Sequence, residues 1–241
     1  MLIGITRVRD EALIIADSVK HFLRHCDRVL LYDDCSDDQT VAMATAAGAD
    51  RIDIIPGDAW RQDRPAEETR HRRILLERAR TMGATWCLCF DADERLVGEL
   101  PPLTGDGYRF RLFDGYLTQY RQAPYEAGDL ATLPRLWGPE FRDILMLFPV
   151  AGARYAGLDR REPIITGTPS LAPVFVKHFG KCLSVEHWEE TCAYYAQHFP
   201  EPYKSKWQSR KGKAIHQLSD FGRPLLRWEE LMLNKNKWSR L

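Results

Sequence analysis

Residues Trp86 to Leu96 read WCLCFDADERL. Trp86 to Phe90 is an apolar run suited to a buried strand, and it stops in Asp91, Asp93 and Glu94. Packing accounts for the run but not for three acids within four residues. A short apolar run does not by itself distinguish strand from helix, so its flanks decide.

Upstream, the flanks alternate. LIGIT at the start is a short apolar strand, and DEALIIADSVKHFLRHC follows with Leu13, Ala16, Val19, Leu23 and Cys26 at helical spacing. RVLLYDD is a second strand, CSDDQT carries turn and cap residues, and VAMATAAGA is a helix stopped by Gly48. RIDII is a third strand. Pro65 then opens a helix with Glu67 and Glu68 in its first turn and Gly83 after its last. WCLCF becomes the fourth strand of a parallel α/β sheet over roughly the first 95 residues. Downstream, GYRFRLF, DILMLFP and VFVKHF read as strands, Gly115 to Pro139 as loop, and Ser184 as the cap of a helix running to about Phe199. The economical organisation is a single domain over 1–241, with halves at 1–97 and 98–241.

The 241 residues are 44% hydrophobic and carry no net charge, so no global field draws in nucleic acid or membrane. The charge is unevenly spread. Tyr203 to Leu241 holds ten Lys or Arg against Asp220, Glu229 and Glu230, a balance of +7 that leaves −7 elsewhere. This basic segment reads either as a solvated helical surface or as a contact for something anionic, a phosphorylated ligand or a peripheral membrane face. The six cysteines have no disulfide or CxxC spacing, so reduced core thiols and no structural zinc are expected. The start, MLIGITRVRDEA, lacks the apolar core of a secretory signal, and no apolar run reaches membrane-spanning length. A cytoplasmic protein is expected.

In an open parallel sheet, ligands sit beyond the carboxyl ends of the strands. Asp91 and Asp93 lie at that edge, two apart, where both can face one hard cation, Mn²⁺ or Mg²⁺. The second strand also ends in acids, VLLYDDCSDD. Like charges on adjacent strand ends are unfavourable unless a cation or ligand offsets them. The alternative makes these aspartates caps and Glu94–Arg95 a surface pair. An EF-hand fails on spacing: it needs Gly and Glu at Asp38 and Ala44, or at Leu96 and Pro102. A phosphatase of the haloacid dehalogenase type would want Thr or Val where this chain has Arg95.

Taken together, RVRDEA, LLYDDCSDDQT, RHRRILLERA and WCLCFDADERL resemble, in order and approximate spacing, the family-2-like glycosyltransferases with the GT-A fold. The usual forms there are a strand followed by Asn-Glu or a similar pair, DDxSxDxT, an Arg ahead of a helix, and DxD. The resemblance covers about residues 1 to 97 well and the rest loosely. It implies an α/β, Rossmann-like GT-A fold: a mostly parallel central sheet, helices on both faces and an irregular C-terminal acceptor-side half. It implies that Asp33 and Asp34 meet the uracil and ribose of a nucleotide sugar and that Arg72, with Arg9 nearby, lies by the diphosphate. It further implies that Asp91 is the sugar- or ribose-side acid and that Asp93 ligates the metal. Trp60 is a candidate to stack on the base. The chain departs from the pattern at Arg73, where Asn is common, and at Cys35, where Gly is common.

KHFGK resembles the segment from which such enzymes complete the metal site, which makes His178 a ligand candidate beside Asp91 and Asp93. Lys177, Lys181 and the basic tail with His216 are candidates to close over the diphosphate. Inversion at the anomeric carbon needs a carboxylate base, and the acceptor-side candidates are Asp143, Asp159 and Glu162. The expected activity is metal-dependent transfer from a nucleotide-diphosphate donor, a UDP-sugar above others, to a saccharide or lipid-linked hydroxyl by single displacement. Two alternatives stand beside it. One is a nucleotidyltransferase, although ITRVRDEA lacks its Gly-rich phosphate loop; the other is a non-catalytic nucleotide- or sugar-binding domain.

Overall fold

Between Leu2 and Val8 only Arg7 reaches the surface, so β1 is buried on both faces, as strands in the middle of a helix-covered parallel sheet are. In the computed structural model, which describes residues 1–59, 63–156 and 161–241, β1 has parallel neighbours on both sides. β2 (Arg28–Asp33) runs beside it from Ile3 opposite Arg28 to Val8 opposite Asp33. β3 (Ile52–Pro56) lies outside β2, also parallel. β4 (Trp86–Cys89) flanks β1 on its other side, from Leu2 opposite Trp86 to Ile5 opposite Cys89.

Helices α1 (Ile15–Phe22), α2 (Thr40–Gly48) and α3 (Arg64–Thr81) make the connections. Ile15, Val19 and Phe22 bury the apolar face of α1, and Leu13, which the spacing put on that face, precedes the helix and is exposed. α2 ends at Gly48, where a Cβ would come within 2.5 Å of the Ile52 side chain. Asp63 caps α3 by accepting from the Ala66 N–H (3.0 Å), with Pro65 in the first turn as the sequence predicts.

The remaining elements are β5 (Glu94–Val97), β6 (Tyr108–Tyr116), β7 (Leu136–Pro149), β8 (Ser170–His178), α4 (Val185–His198), α5 (Tyr203–Gln208), α6 (Trp228–Leu233) and β9 (Ser239–Arg240). The strand order is β3-β2-β1-β4-β7-β6-β8-β5, with β9 on β7. The architecture is therefore mixed α/β around a large, mostly parallel sheet, with antiparallel pairs where β4 meets β7 and β5 meets β8.

Met1–Asp93, Gly98–Phe110 and Ile144–Val174 form one compact unit, and Glu94–Val97, Arg111–Asp143 and Phe175–Leu241 form another. The reason is strand length: β6, β7 and β8 run for 9, 14 and 9 residues and each supplies residues to both units. In the first unit Ile3, Ile5, Leu30, Leu75, Leu76 and Phe148 form part of one buried cluster. In the second, Trp137 meets Phe179 and Trp228 edge-on, with centroids 5.2 Å apart in each case.

Glu94 and Arg95 are not a surface pair. Both are fully enclosed, because they form the start of β5 and pair with His178 and Lys177 of β8. All six cysteines are unpaired, with Cys35 the exposed one. Among the described residues no helix is long and apolar enough to cross a membrane.

Ser184 behaves as its sequence position predicts, its hydroxyl accepting from the His187 N–H at 3.0 Å to start α4. Replacing it with Ala should cost about 1 kcal/mol, read from the urea midpoint at unchanged slope.

Candidate functional site at the carboxyl edge of the first unit

Leaving β1, the chain builds outward through β2 to β3 and then returns to the opposite flank of β1 as β4. The order reverses between β1 and β4, and the crevice beyond their carboxyl ends is where such sheets bind ligands. The segments at that reversal are Arg9, Asp10 and Glu11 after β1, and Phe90 to Asp93 after β4.

The segment DDCSDDQT does more than present acids. Ser36 Oγ accepts from the Asp10 N–H (3.0 Å), Thr40 Oγ1 from the Glu11 N–H (2.7 Å), and Asp38 Oδ2 from the Ala12 N–H (3.1 Å). In return, Asp10 Oδ1 accepts from the Asp37 N–H at 3.0 Å. Alternate side chains of the second-strand loop thus hold the backbone that leaves the first. Asp10 and Cys35 sit in the left-handed region, with φ 53° and 59°, a conformation that survives in such residues only where surrounding bonds fix it.

Asp33 and Asp34 have different environments. Asp33 ends β2, with Oδ1 3.3 Å from the Ser36 N–H. Asp34 is fully enclosed, and its Oδ2 accepts from Arg7 (3.1 Å) and Arg64 (2.5 Å). Glu68 closes the group, 3.2 Å from Arg64 and 3.6 Å from Arg7. Two guanidinium groups and two carboxylates form a charge-balanced ring binding β1, β2 and α3. Beside it His71 stacks on Tyr32, centroids 4.1 Å apart. Burial, and then Arg7 and Arg70, push His71 down to about 4, so it is neutral at pH 7.

Asp91 stays partly exposed and is gripped from both sides, by Arg72 at Oδ1 (3.1 Å) and Arg161 at Oδ2 (2.6 Å). Burial works against the charge of Arg72, and the Asp91 carboxylate more than offsets it. Arg72 Nη1 is buried with no acceptor among the described residues, a donor available to a ligand oxygen. Glu11 is the residue that sequence reasoning missed. Burial holds its carboxyl well above the usual range, the negative charges of Asp93, Asp91 and Asp38 push the same way, and Arg7 opposes them. The signal for it was the pair Asp10-Glu11 after the first strand, quoted in RVRDEA but given no role.

Of the other candidates, Arg9 lies 3.4 Å from Asp10, and Glu162 accepts from Arg109 at 2.8 Å in the same unit. Asp143 and His178 belong to the second unit, where Asp143 pairs with Arg240 (2.9 Å) and His178 Nδ1 with Asp114 Oδ1 (2.6 Å). Asp159 and Trp60 lie outside the described residues. Among those described, no three His, Cys, Asp or Glu are gathered in a form that could hold a metal ion. The donor set nonetheless suits a hard cation in kind, since Asp91, Asp93 and Glu11 all offer carboxylate oxygens and the first two lie near enough to disfavour the charge of Glu11.

No family model matches the chain, and no curated protein does. Among solved structures it is similar to a mycobacterial protein, at 18% identity and a TM-score of 0.32, over 49% of this chain and 41% of the other. The chain thus spans less than half the length of that protein, and the likeness carries no assignment.

Two measurements probe this edge. Thr40→Val keeps the shape but leaves the Glu11 N–H without its acceptor, and should cost about 1–3 kcal/mol in urea unfolding. Because Glu11 is raised in the folded state, its stabilising contribution is complete below the ordinary carboxylate value of 4.5 and is lost as pH rises through the folded value. In EDTA, Glu11→Gln should therefore melt above the wild type at about pH 8, with the gap closing under pH 4.5. A constant gap across that range would remove Glu11 from the acidic field.

Proposed function

We propose that the chain is a metal-dependent glycosyltransferase of the GT-A type that takes its sugar from a nucleotide-diphosphate donor, a UDP-sugar before others. One observation carries the reading: Glu11, Asp91 and Asp93 crowd the carboxyl ends of β1 and β4, where the strand order reverses, with Arg72 beside them. An acid cluster at a ligand crevice, backed by a buried guanidinium with an unused donor, suits a diphosphate bound through a divalent cation.

The roles follow from what each side chain can do. Asp33, at the end of β2, is the acceptor for donor groups on the base or ribose. Asp34 is committed to Arg7 and Arg64 and acts as an anchor for the wall. Asp91, oriented by Arg72 and Arg161, and Asp93 would hold Mn²⁺ or Mg²⁺ together with Glu11. When bound, that cation supplies neutralisation of the charge that builds on the leaving diphosphate, and Arg72 adds a fixed positive charge to the same end. Glu162 is the candidate base of the first unit, for a saccharide or lipid-linked hydroxyl in single displacement.

A thermal-shift titration with UDP, GDP, CDP and ADP, each with and without Mn²⁺, tests this directly. UDP should raise the melting temperature only when Mn²⁺ is present, and Asp93→Ala should abolish the rise. Hydrolysis of a UDP-sugar by the wild type would then separate a transferase from a binding module. If no nucleotide shifts the protein with or without metal, the proposal falls.

A further inference from the structure

The basic segment from Tyr203 onward belongs to the second unit. In the second unit it meets residues of β6, β7 and the β8–α4 turn in a network of charges. Asp114 Oδ1 accepts from Arg142 (2.7 Å) and His178 (2.6 Å), and its Oδ2 from Lys181 (2.7 Å). Lys181 bridges to Asp220 Oδ2 at 2.7 Å, and the same oxygen takes Arg210 at 2.8 Å. His216 stands 3.9 Å from the other oxygen of Asp220. Burial disfavours the Asp114 charge, but Lys181, then Arg142 and His178, hold it well below the usual range.

Two carboxylates therefore serve three cations, and a fourth cation has no carboxylate of its own. The Lys206 ammonium has no hydrogen-bond or ion-pair partner among the described residues. Burial and then Arg210, Lys181 and Arg142 lower its affinity for a proton, with Asp220 as the opposing charge. Lys206 is exposed on α5, a helix with no buried residue, so its ammonium is open to a ligand arriving from solvent. Arg142 and Arg210 each direct one nitrogen at a carboxylate, and a guanidinium carries five donors. Arg210 is also braced: its guanidinium lies 5.0 Å from the Trp207 ring centroid, and its carbonyl accepts from the Trp188 indole at 3.1 Å. Spare, pre-positioned donors on arginine beside a lysine are the chemistry that recognises a phosphate dianion.

We propose that Arg142, Lys206 and Arg210, set on the Asp114–Lys181–Asp220 bridge, form a binding site for a phosphate monoester. The site needs no metal and does not depend on the transferase reading. The phosphate has two possible sources, a small soluble ester or a lipid headgroup. Ile215, Leu218 and Phe221, on the segment that carries His216 and Asp220, are 40%, 47% and 57% exposed. A headgroup would give these three an apolar interface to enter, while a soluble ester would leave them in water.

The test uses the whole chain in EDTA at constant ionic strength. One arm melts it with inorganic phosphate or phenyl phosphate, with chloride as control. A second arm sediments it with phosphatidylcholine vesicles with and without phosphatidic acid. A melting shift with the soluble phosphates identifies a small ester, and sedimentation restricted to phosphatidic acid identifies a headgroup; either result supports the site. Lys206→Gln breaks no internal contact and should weaken the effective interaction about tenfold or more. Asp93→Ala should leave it unchanged, which separates this site from the first-unit crevice. Silence in both arms overturns the proposal, as does a response that survives both Lys206→Gln and Arg142→Gln.

Discussion

Asp34 cannot be removed from the end of β2 without leaving two enclosed guanidinium groups to share the Glu68 carboxylate. Arg7 comes from β1, Arg64 and Glu68 from the first turns of α3, and the four side chains are 10%, 4%, 11% and, for Asp34, 0% exposed. Breaking one member of a buried ion group is far more costly than replacing the whole group by apolar residues. Evolution could have filled this position with leucines. A charged ring adds direction, because each guanidinium fork accepts its partner in few geometries. It therefore fixes the register of α3 against the carboxyl edge of the sheet. Arg64, Glu68 and Arg72 follow one another at four-residue spacing on one face of the helix, so the ring that anchors the first turn also aims Arg72 at Asp91 two turns later.

The same economy explains the loop after β2. Ser36, Asp38 and Thr40 alternate with exposed residues, and all three point back to three consecutive N–H groups after β1. Those N–H groups lie beyond the sheet ladder and before α1 begins, where the backbone would otherwise need water. With them satisfied from the side, the turn can keep Asp10 in the left-handed region and hold Glu11 among acids. The motif is thus as much a tether as a ligand set. Its hydroxyls and its third acid hold one strand end so that the acids of the other two can face it.

Much of this was legible in the residues and some was not. β1 to β4 and their helices follow from apolar runs, first-turn residues and stops such as Pro65 and Gly48, all local signals. α3 was readable from its ends rather than its face, because the first half of the buried face carries Arg64, Glu67, Glu68, His71 and Arg72, and only the second half is apolar, with Leu75, Leu76 and Ala79. β5 escaped because ERLV is four residues long and follows an acidic turn; only its antiparallel pairing with β8 makes it a strand and encloses Glu94 and Arg95. The partners Arg7–Asp34, Arg161–Asp91 and His178–Asp114 are separated by 27, 70 and 64 residues, beyond any periodicity. Acids at strand ends could be read as a site from sequence, but which arginine answers which acid could not.

Charge balance then separates anchoring groups from groups awaiting a ligand. The Arg7–Asp34–Arg64–Glu68 ring is enclosed and balances its own charges. Glu11 is different: burial first, then the charges of Asp93, Asp91 and Asp38, drive its carboxyl toward protonation against Arg7, even with Asp91 held by Arg72 and Arg161. In the second unit the imbalance has the opposite sign, with Lys206 added to cations that already share two carboxylates. Folding alone gives no reason to assemble like charges, since each unit change in pKa they cause is about 1.4 kcal/mol of unfavourable interaction. An ion of opposite sign bound at such an assembly would offset that cost. By that reasoning the acidic edge of the first unit is the place to test the proposed cation, and the basic network of the second the place to test the proposed anion.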